Sequence, residues 1–224
     1  MNGEQRYDKG KREYTTAFLY PDGQEIILDH LDVELHENGI EIIGVKNMRV
    51  VSESKMNSLV SHYKAIMEEL GIKTDPENEK TPERVVKALL EMTRNDGVGT
   101  EELDKQMTVF SSPGEALIEV SPISFTSLCA HHHMPFVGTA YISYVPDEHI
   151  LGLSKFPRAV EWFSRKPSTQ ETLTIEIGKY LVGRLRPRKL TIVLEAEHTC
   201  VSSRGVKAHG VGTKTTYAYP KGDV

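Results

Sequence analysis

The chain holds two cysteines, Cys129 and Cys200, and each has histidines beside it. His131, His132 and His133 run consecutively after Cys129, and His198 stands two residues before Cys200. Thiolate and imidazole are donors that zinc takes readily, so their concentration at two distant points predicts one metal site closed by the fold. Cys129 and His132 are three apart, a spacing that a turn can close on one ion. His198 and Cys200, on an expected strand, would point to one face. Cys129, His132 and Cys200 would supply S, N and S ligands. A fourth tetrahedral position would remain for water, whose pKa zinc lowers to roughly 7. His131 and His198 would then be available for general acid and base work, because imidazole titrates near neutrality. Spacing alone leaves two alternatives open. One is structural cysteines with unrelated surface histidines; the other is a closed structural zinc with His131 or His198 as fourth ligand.

A second constellation is cationic. In GLSKFPR, residues 152–158, Ser154 is a natural N-cap and Pro157 is tolerated in a first helical turn. Lys155 and Arg158 then occupy the positive end of the helix dipole, where acids are normally favoured, and share one face. A local rule broken in this way is expected where an anion binds. The alternative is a solvated helix end whose charges neighbouring acids offset. Arg204, four residues past Cys200, would add a third cation, whereas RLRPRK at 184–189 reads as a solvated loop. Ser168 to Glu171 fits a capping box, S-x-x-E, which would give Glu171 a purely structural task. A carboxylate there can also accept two donors from a ligand, so Gln170 and Glu171 remain candidates for recognition.

These groups need elements to position them. ALIEVSPISF at 116–125 alternates, and GTAYISYV at 138–145 is rich in β-formers, so the cluster after Cys129 falls between two expected strands. Helices are expected over SKFPRAVEWFSR, with Phe156, Val160 and Phe163 buried, and from about 168 to 184. KLTIVLEAEHTC at 189–200 and the TKTTYAY segment read as strands. The order strand, strand, helix, helix, strand, strand is an α+β arrangement. Ahead of it, residues 52–94 predict two amphipathic helices. The first carries Met56, Leu59, Val60, Tyr63, Ile66, Met67 and Leu70 at helical spacing and stops at Gly71. The second has Thr81 as N-cap, Pro82 as N1 residue, and Val85, Leu89 and Met92 as its stripe. Residues 15–50 read as a small β extension with turns at PDG and HENG, and residues 1–14 as a loose charged tail. The expected divisions are therefore 1–14, 15–50, 51–94 and a catalytic domain at 95–224.

Composition sets the remaining bounds. With 38% hydrophobic and 26% charged residues the chain is of ordinary globular make-up. A net charge of −5 supplies no field that would draw it to nucleic acid or to a membrane surface. No apolar run approaches the ~18 residues of a membrane span. MNGEQRYDKGKREY lacks the apolar segment of a secretory signal, and two cysteines are too few for a disulfide scaffold. A cytoplasmic location is expected.

Taken together, CAHHHMPFVGTAYISYVPDEHILGLSKFPRAVEWFSRKPSTQETLT at 129–174, EHTCVSSRG at 197–205 and TPERV at 81–85 resemble GTP cyclohydrolase I over about residues 52–215. The resemblance implies a tunnelling fold (T-fold): an antiparallel sheet with helices on one face, behind N-terminal helices. It implies a homo-oligomer, a decamer in that family, with active sites between subunits. The implied reaction converts GTP and water to formate and 7,8-dihydroneopterin triphosphate, the entry to pterin and folate synthesis, or in some relatives to deazapurines. Cys129, His132 and Cys200 match the zinc ligands, and His131 and His198 the histidines that move protons. Gln170 and Glu171 match the purine-recognition pair, with Glu171 on the guanine edge. Ser154, Lys155, Arg158 and Arg204 match sugar and triphosphate contacts, Ser154 also being a candidate in the later sugar rearrangement. Arg84 matches an arginine that reaches a neighbouring subunit's triphosphate.

The chain departs from the family pattern at Ala130, where an acid is common, and at His133, where an aromatic is common. KAHGVGTKTT at 207–216 also differs, and the usual C-terminal helix is missing after YPKGDV. Two rivals follow. A nitrile-reductase relative of the same fold would lack this Cys, His, Cys set. A nucleotide-binding, zinc-stabilised ring without turnover would have no need of both His131 and His198.

Overall fold

The computed structural model describes residues 51–220 in full and, before them, the backbone of four short strands. The reading of 1–14 as a loose tail lies outside the described residues. The chain divides into two compact units, Met1–Glu91 and Met92–Val224.

In the first unit, β1 (Thr16–Leu19) pairs antiparallel with β2 (Glu25–Leu28), and β3 (Asp32–His36) with β4 (Gly39–Gly44). These are two separate hairpins, with no pairing between β2 and β3. Helix α1 (Glu53–Glu69) starts where the Ser52 side chain accepts from Lys55 N–H, at 3.3 Å. It ends where Gly71 turns left-handed, φ +70°, as glycine allows at little cost. Of the expected stripe, Val60 and Met67 are buried, while Ile66 and Leu70 stay exposed. Helix α2 spans Thr81–Met92, so Thr81 is already helical and Pro82 follows inside the first turn.

The second unit opens with the short helix α3 (Glu101–Lys105) and strand β5 (Val109–Ser111). The long strands β6 (Ile118–Cys129) and β7 (Pro135–Val145) form a hairpin. Then come β8 (His149–Leu151), α4 (Lys155–Ser164), β9 (Pro167–Ser168), α5 (Gln170–Leu185), β10 (Lys189–His198), the single turn α6 (Thr199–Ser202) and β11 (Gly212–Tyr219). The main sheet runs β11-β10-β7-β6-β9 and is antiparallel except for the short β6–β9 pair. The expected α+β arrangement is present. α3, β5, β8 and β9 were too short to leave a periodic signal.

Period-two alternation decides which side of the sheet is covered. Phe136, Ala140, Ile142 and Tyr144 of β7 and Leu190, Ile192 and Leu194 of β10 are buried with Phe156 and Val160 of α4 and Leu173, Ile177 and Leu181 of α5. Val137 and Tyr141, on the opposite face of β7, remain exposed. Gly178 of α5 allows close approach to the sheet, since a Cβ there would lie about 2.5 Å from Cγ of Tyr217. Among the described residues no helix is long and apolar enough to cross a membrane.

Candidate metal centre and anion site

Three chain segments meet at one end of the sheet. β6 delivers Cys129 as its last residue, and β10 delivers His198 as its last. Cys200 follows on α6 and not on a continuing strand, so it reaches the cluster by a helical turn and not by strand alternation. The ligand atoms of Cys129, His198 and Cys200 all lie within 4.8 Å of one another.

The hairpin loop 130–134 holds His131, His132 and His133. Cys129 N–H donates to Met134 O at 2.9 Å, and Cys129 O accepts from His132 N–H at 3.3 Å and His133 N–H at 2.8 Å. His133 closes this loop with φ 50°, a left-handed conformation that non-glycine residues seldom adopt. The tight turn leaves Nδ1 of His131 3.9 Å and Nδ1 of His132 3.8 Å from Cys129 Sγ. His132 thus lies beside Cys129 but outside the Cys129–His198–Cys200 trio. Two thiols with imidazoles around them suit a soft or borderline ion such as zinc.

β9 lies against the end of β6, with Cys129 opposite Ser168 and Ala130 N–H donating to Ser168 O at 3.0 Å. This contact brings the start of α5 to the cluster. The N-cap of α5 is Thr169, whose hydroxyl accepts from Thr172 N–H at 3.2 Å, while Ser168 Oγ donates to Thr169 O. The expected Ser168–Glu171 capping box is therefore not formed, and Glu171 is exposed. Gln170 is 1% exposed. Its Nε2 donates to Leu194 O at 3.0 Å, Thr213 O at 2.9 Å and Thr215 Oγ1 at 3.1 Å, and its Oε1 lies 2.9 Å from His198 Nε2.

The His198 ring also stacks on Phe136, with centroids 4.5 Å apart and planes 8° apart. The two residues are register partners across β7 and β10. Sequence reasoning passed over Phe136; only the strand register could have paired it with His198. Burial pushes the His198 imidazole below its ordinary range, and the nearby Glu171 carboxylate opposes the shift. Burial, then the hydrogen bond and charge of Cys129, push the Cys200 thiol up, while a backbone N–H and the Arg204 guanidinium pull it down. Glu171 and Arg204 are thereby in electrostatic reach of the cluster.

The cationic residues lie at the start of α4. Ser154 takes the cap position, but its hydroxyl makes no capping bond. Among the described residues no carboxylate forms an ion pair with Lys155, Arg158 or Arg204. Offset by neighbouring acids therefore does not account for the two cations at this helix end. In 184–189 two of the cations do have acids: Arg184 lies 3.7 Å from Asp104, and Arg188 pairs with Glu115 and Asp147. Arg84 is on α2, in the other unit.

The family model described as GTP cyclohydrolase I matches residues 59–222. GTP cyclohydrolase 1 of Streptococcus agalactiae serotype Ia is 38% identical over 169 residues, covering 75% of this chain and 88% of that protein. The enzyme of the same name from Chlorobaculum tepidum is 36% identical over 192 residues, covering 84% and 79%. That from Streptococcus suis strain 05ZYH33 is 39% identical over 172 residues, covering 75% and 90%. The match runs through every segment that builds the cluster, from β6 to α6, and the chain belongs to the GTP cyclohydrolase I family.

Proposed function

We propose that this protein is a zinc-dependent GTP cyclohydrolase I, which converts GTP and water to formate and 7,8-dihydroneopterin triphosphate. The observation that carries this reading is the convergence of Cys129, Cys200 and His198 within 4.8 Å from segments far apart in the chain. Cys129, His132 and Cys200 would hold zinc. Zinc, when bound, supplies Lewis-acid activation of water for hydrolysis at C8 of the base.

The chain's own groups then have distinct tasks. Glu171, exposed and free of a capping role, accepts hydrogen bonds from the guanine edge. Gln170, the other member of the matched pair, has its side-chain amide engaged within the fold and orients His198. With Nε2 tied to Gln170, His198 offers Nδ1 for proton transfer, and His131 serves the other side of the base. Ser154, with its hydroxyl free of capping, faces the sugar. Lys155, Arg158 and Arg204, none of them neutralised by an acid, bind the triphosphate. Arg84 contributes to a neighbouring subunit's site in a homo-oligomer of T-fold subunits, in keeping with the uncovered sheet face at Val137 and Tyr141. Positioning and charge stabilisation supply much of such catalysis.

One observation favours a second ligand assignment. His198, and not His132, completes the close trio with the two thiols. In that alternative His198 is the third zinc ligand and His132 is left for proton transfer.

The test of the overall reading is formate release from GTP by the purified protein, with and without a zinc chelator, while the pterin chromophore is followed. Chelator-sensitive formation of both products is expected. Tight GTP binding with neither product would replace the reading with a nucleotide-binding ring.

A further inference from the structure

Helix α3 is short but firmly anchored. Leu103 and Met107 are buried at 1% and 5% exposure. Between them Asp104 accepts from Tyr180 OH at 2.7 Å and from Thr100 Oγ1 at 3.2 Å. Gln106 follows as the C-cap, its backbone N–H donating to Leu103 O at 2.9 Å. The Gln106 side chain is fixed as well. Its Nε2 donates to Glu102 O at 3.1 Å, which turns Oε1 outward, and there it accepts from Nη1 of Arg158 at 2.7 Å.

We propose that Gln106 is a positioning residue for the nucleotide's triphosphate, acting through Arg158; this rests on the reading of Arg158 as a triphosphate contact. The chemistry favours an amide in this place. Arginine has a long, flexible side chain, and a guanidinium held in orientation before binding loses less freedom when it meets the anion. A carboxylate could hold it too, but would neutralise it and compete with the phosphates. A neutral amide oxygen uses one N–H and leaves both the charge and the remaining donors of the fork for the ligand. Arg158 pairs with no carboxylate among the described residues, so its charge is intact.

The experiment compares Gln106→Ala, Gln106→Glu, Arg158→Ala and the Gln106→Ala/Arg158→Ala double variant in the zinc-loaded full chain. It reads KM and kcat for GTP, inhibition by inorganic triphosphate, and thermal unfolding. Gln106→Ala should raise KM and the triphosphate inhibition constant in parallel, by about three- to tenfold, the scale of one hydrogen bond, with a smaller effect on kcat. Gln106→Glu should raise both further, because it pairs the charge of Arg158. In the Arg158→Ala background the Gln106→Ala effect should vanish. An unchanged KM in Gln106→Ala, with Arg158→Ala strongly impaired, would overturn the proposal and leave the triphosphate reading standing. An unchanged KM in Arg158→Ala would overturn that reading and this proposal with it. A Gln106→Ala effect that persists without Arg158, or that comes with a lowered unfolding temperature alone, would make Gln106 a structural residue and also overturn the proposal.

Discussion

Oε1 of Gln170 lies 2.9 Å from Nε2 of His198, and the rest of the Gln170 amide decides what that contact is. Its nitrogen is surrounded by three oxygens of β10 and β11, which occupy both of its N–H groups, so the carbonyl end must face the imidazole and can only accept. His198 therefore carries its proton on Nε2 and leaves Nδ1 with a lone pair. Phe136 fixes the ring plane from one face. Gln170→Ala would free the ring and orphan buried acceptors. We expect kcat to fall by about tenfold or more and stability by about 1–3 kcal/mol. Steady-state kinetics and urea unfolding check both; unchanged kcat would mean that the contact does not orient a working group.

The two ligand assignments separate in a metal titration. Cys129→Ala and Cys200→Ala should lose zinc and turnover together, because each removes a thiolate that no neighbour replaces. His132→Ala should weaken zinc by about a hundredfold or more, whereas His198→Ala should keep zinc near one per chain and lose turnover. Chelator competition measures this directly. The reverse pattern for the two histidines would transfer the ligand role to His198.

Lys155 begins α4 with its side chain over Gly152, 3.7 Å from where a Cβ there would be. It forms no ion pair with a carboxylate among the described residues. Lys155→Ala should raise KM for GTP by about tenfold, the scale of one charge-assisted contact, and should weaken the salt dependence of binding. An unchanged nucleotide affinity, read by equilibrium titration, would return Lys155 to the solvated surface.

Residue type marked where the cluster would form, since both cysteines and their neighbouring histidines stand out, but His198 and not the expected His132 completes the close trio with the thiols. The long strands and helices around it carry a period. What escaped was set by register and by short-range competition for hydrogen bonds. Cys200 sits on a helical turn because the chain leaves the sheet at His198. Thr169 won the cap of α5 over Ser168, one residue earlier, because β9 engages Ser168 in the sheet. The Phe136–His198 stack exists only because β7 and β10 pair in the observed register. The exposed Ile66 and Leu70 on α1 show a further limit, since helical spacing marks an apolar face without naming what covers it.

Glu161 gives the fold a pH dependence of known sign. It accepts from Arg165 Nε at 2.6 Å and from Arg94 Nη2 at 2.8 Å, joining α4 to the segment before α3. Burial raises its pKa, but the hydrogen bonds and charges of Arg165 and Arg94 outweigh burial and hold it below the ordinary carboxylate value. A depressed folded pKa contributes stability above the unfolded pKa, and that contribution is lost as pH falls through the folded one. Glu161→Gln should therefore lower the urea midpoint at neutral pH. The gap to the parent should close as the pH drops below the ordinary carboxylate range of about 4. Both proteins are compared metal-free, so that loss of zinc in acid does not contribute. A gap independent of pH would assign the effect to packing and not to charge.

Two glycines make opposite predictions from their surroundings. Gly138 of β7 faces Ala196 of β10, and a Cβ there would strike the backbone oxygen of Glu195 and come within 2.6 Å of the Ala196 Cβ. Neither neighbour can swing aside, so Gly138→Ala must push β10 away, at a cost of about 1–3 kcal/mol. β10 ends in His198, so the displacement is carried into the candidate metal centre, and zinc retention and kcat should fall along with the unfolding temperature. Gly183 lies in α5, and a Cβ there meets nothing within 4 Å. Gly183→Ala should stabilise by about 0.5–1 kcal/mol through helix propensity and a more restricted unfolded chain, with zinc content and turnover unchanged. Calorimetric unfolding of the two variants, with zinc content and kcat measured on the same samples, checks the pair. If Gly138→Ala kept full activity while losing stability, the sheet register would not be what sets the geometry of the site.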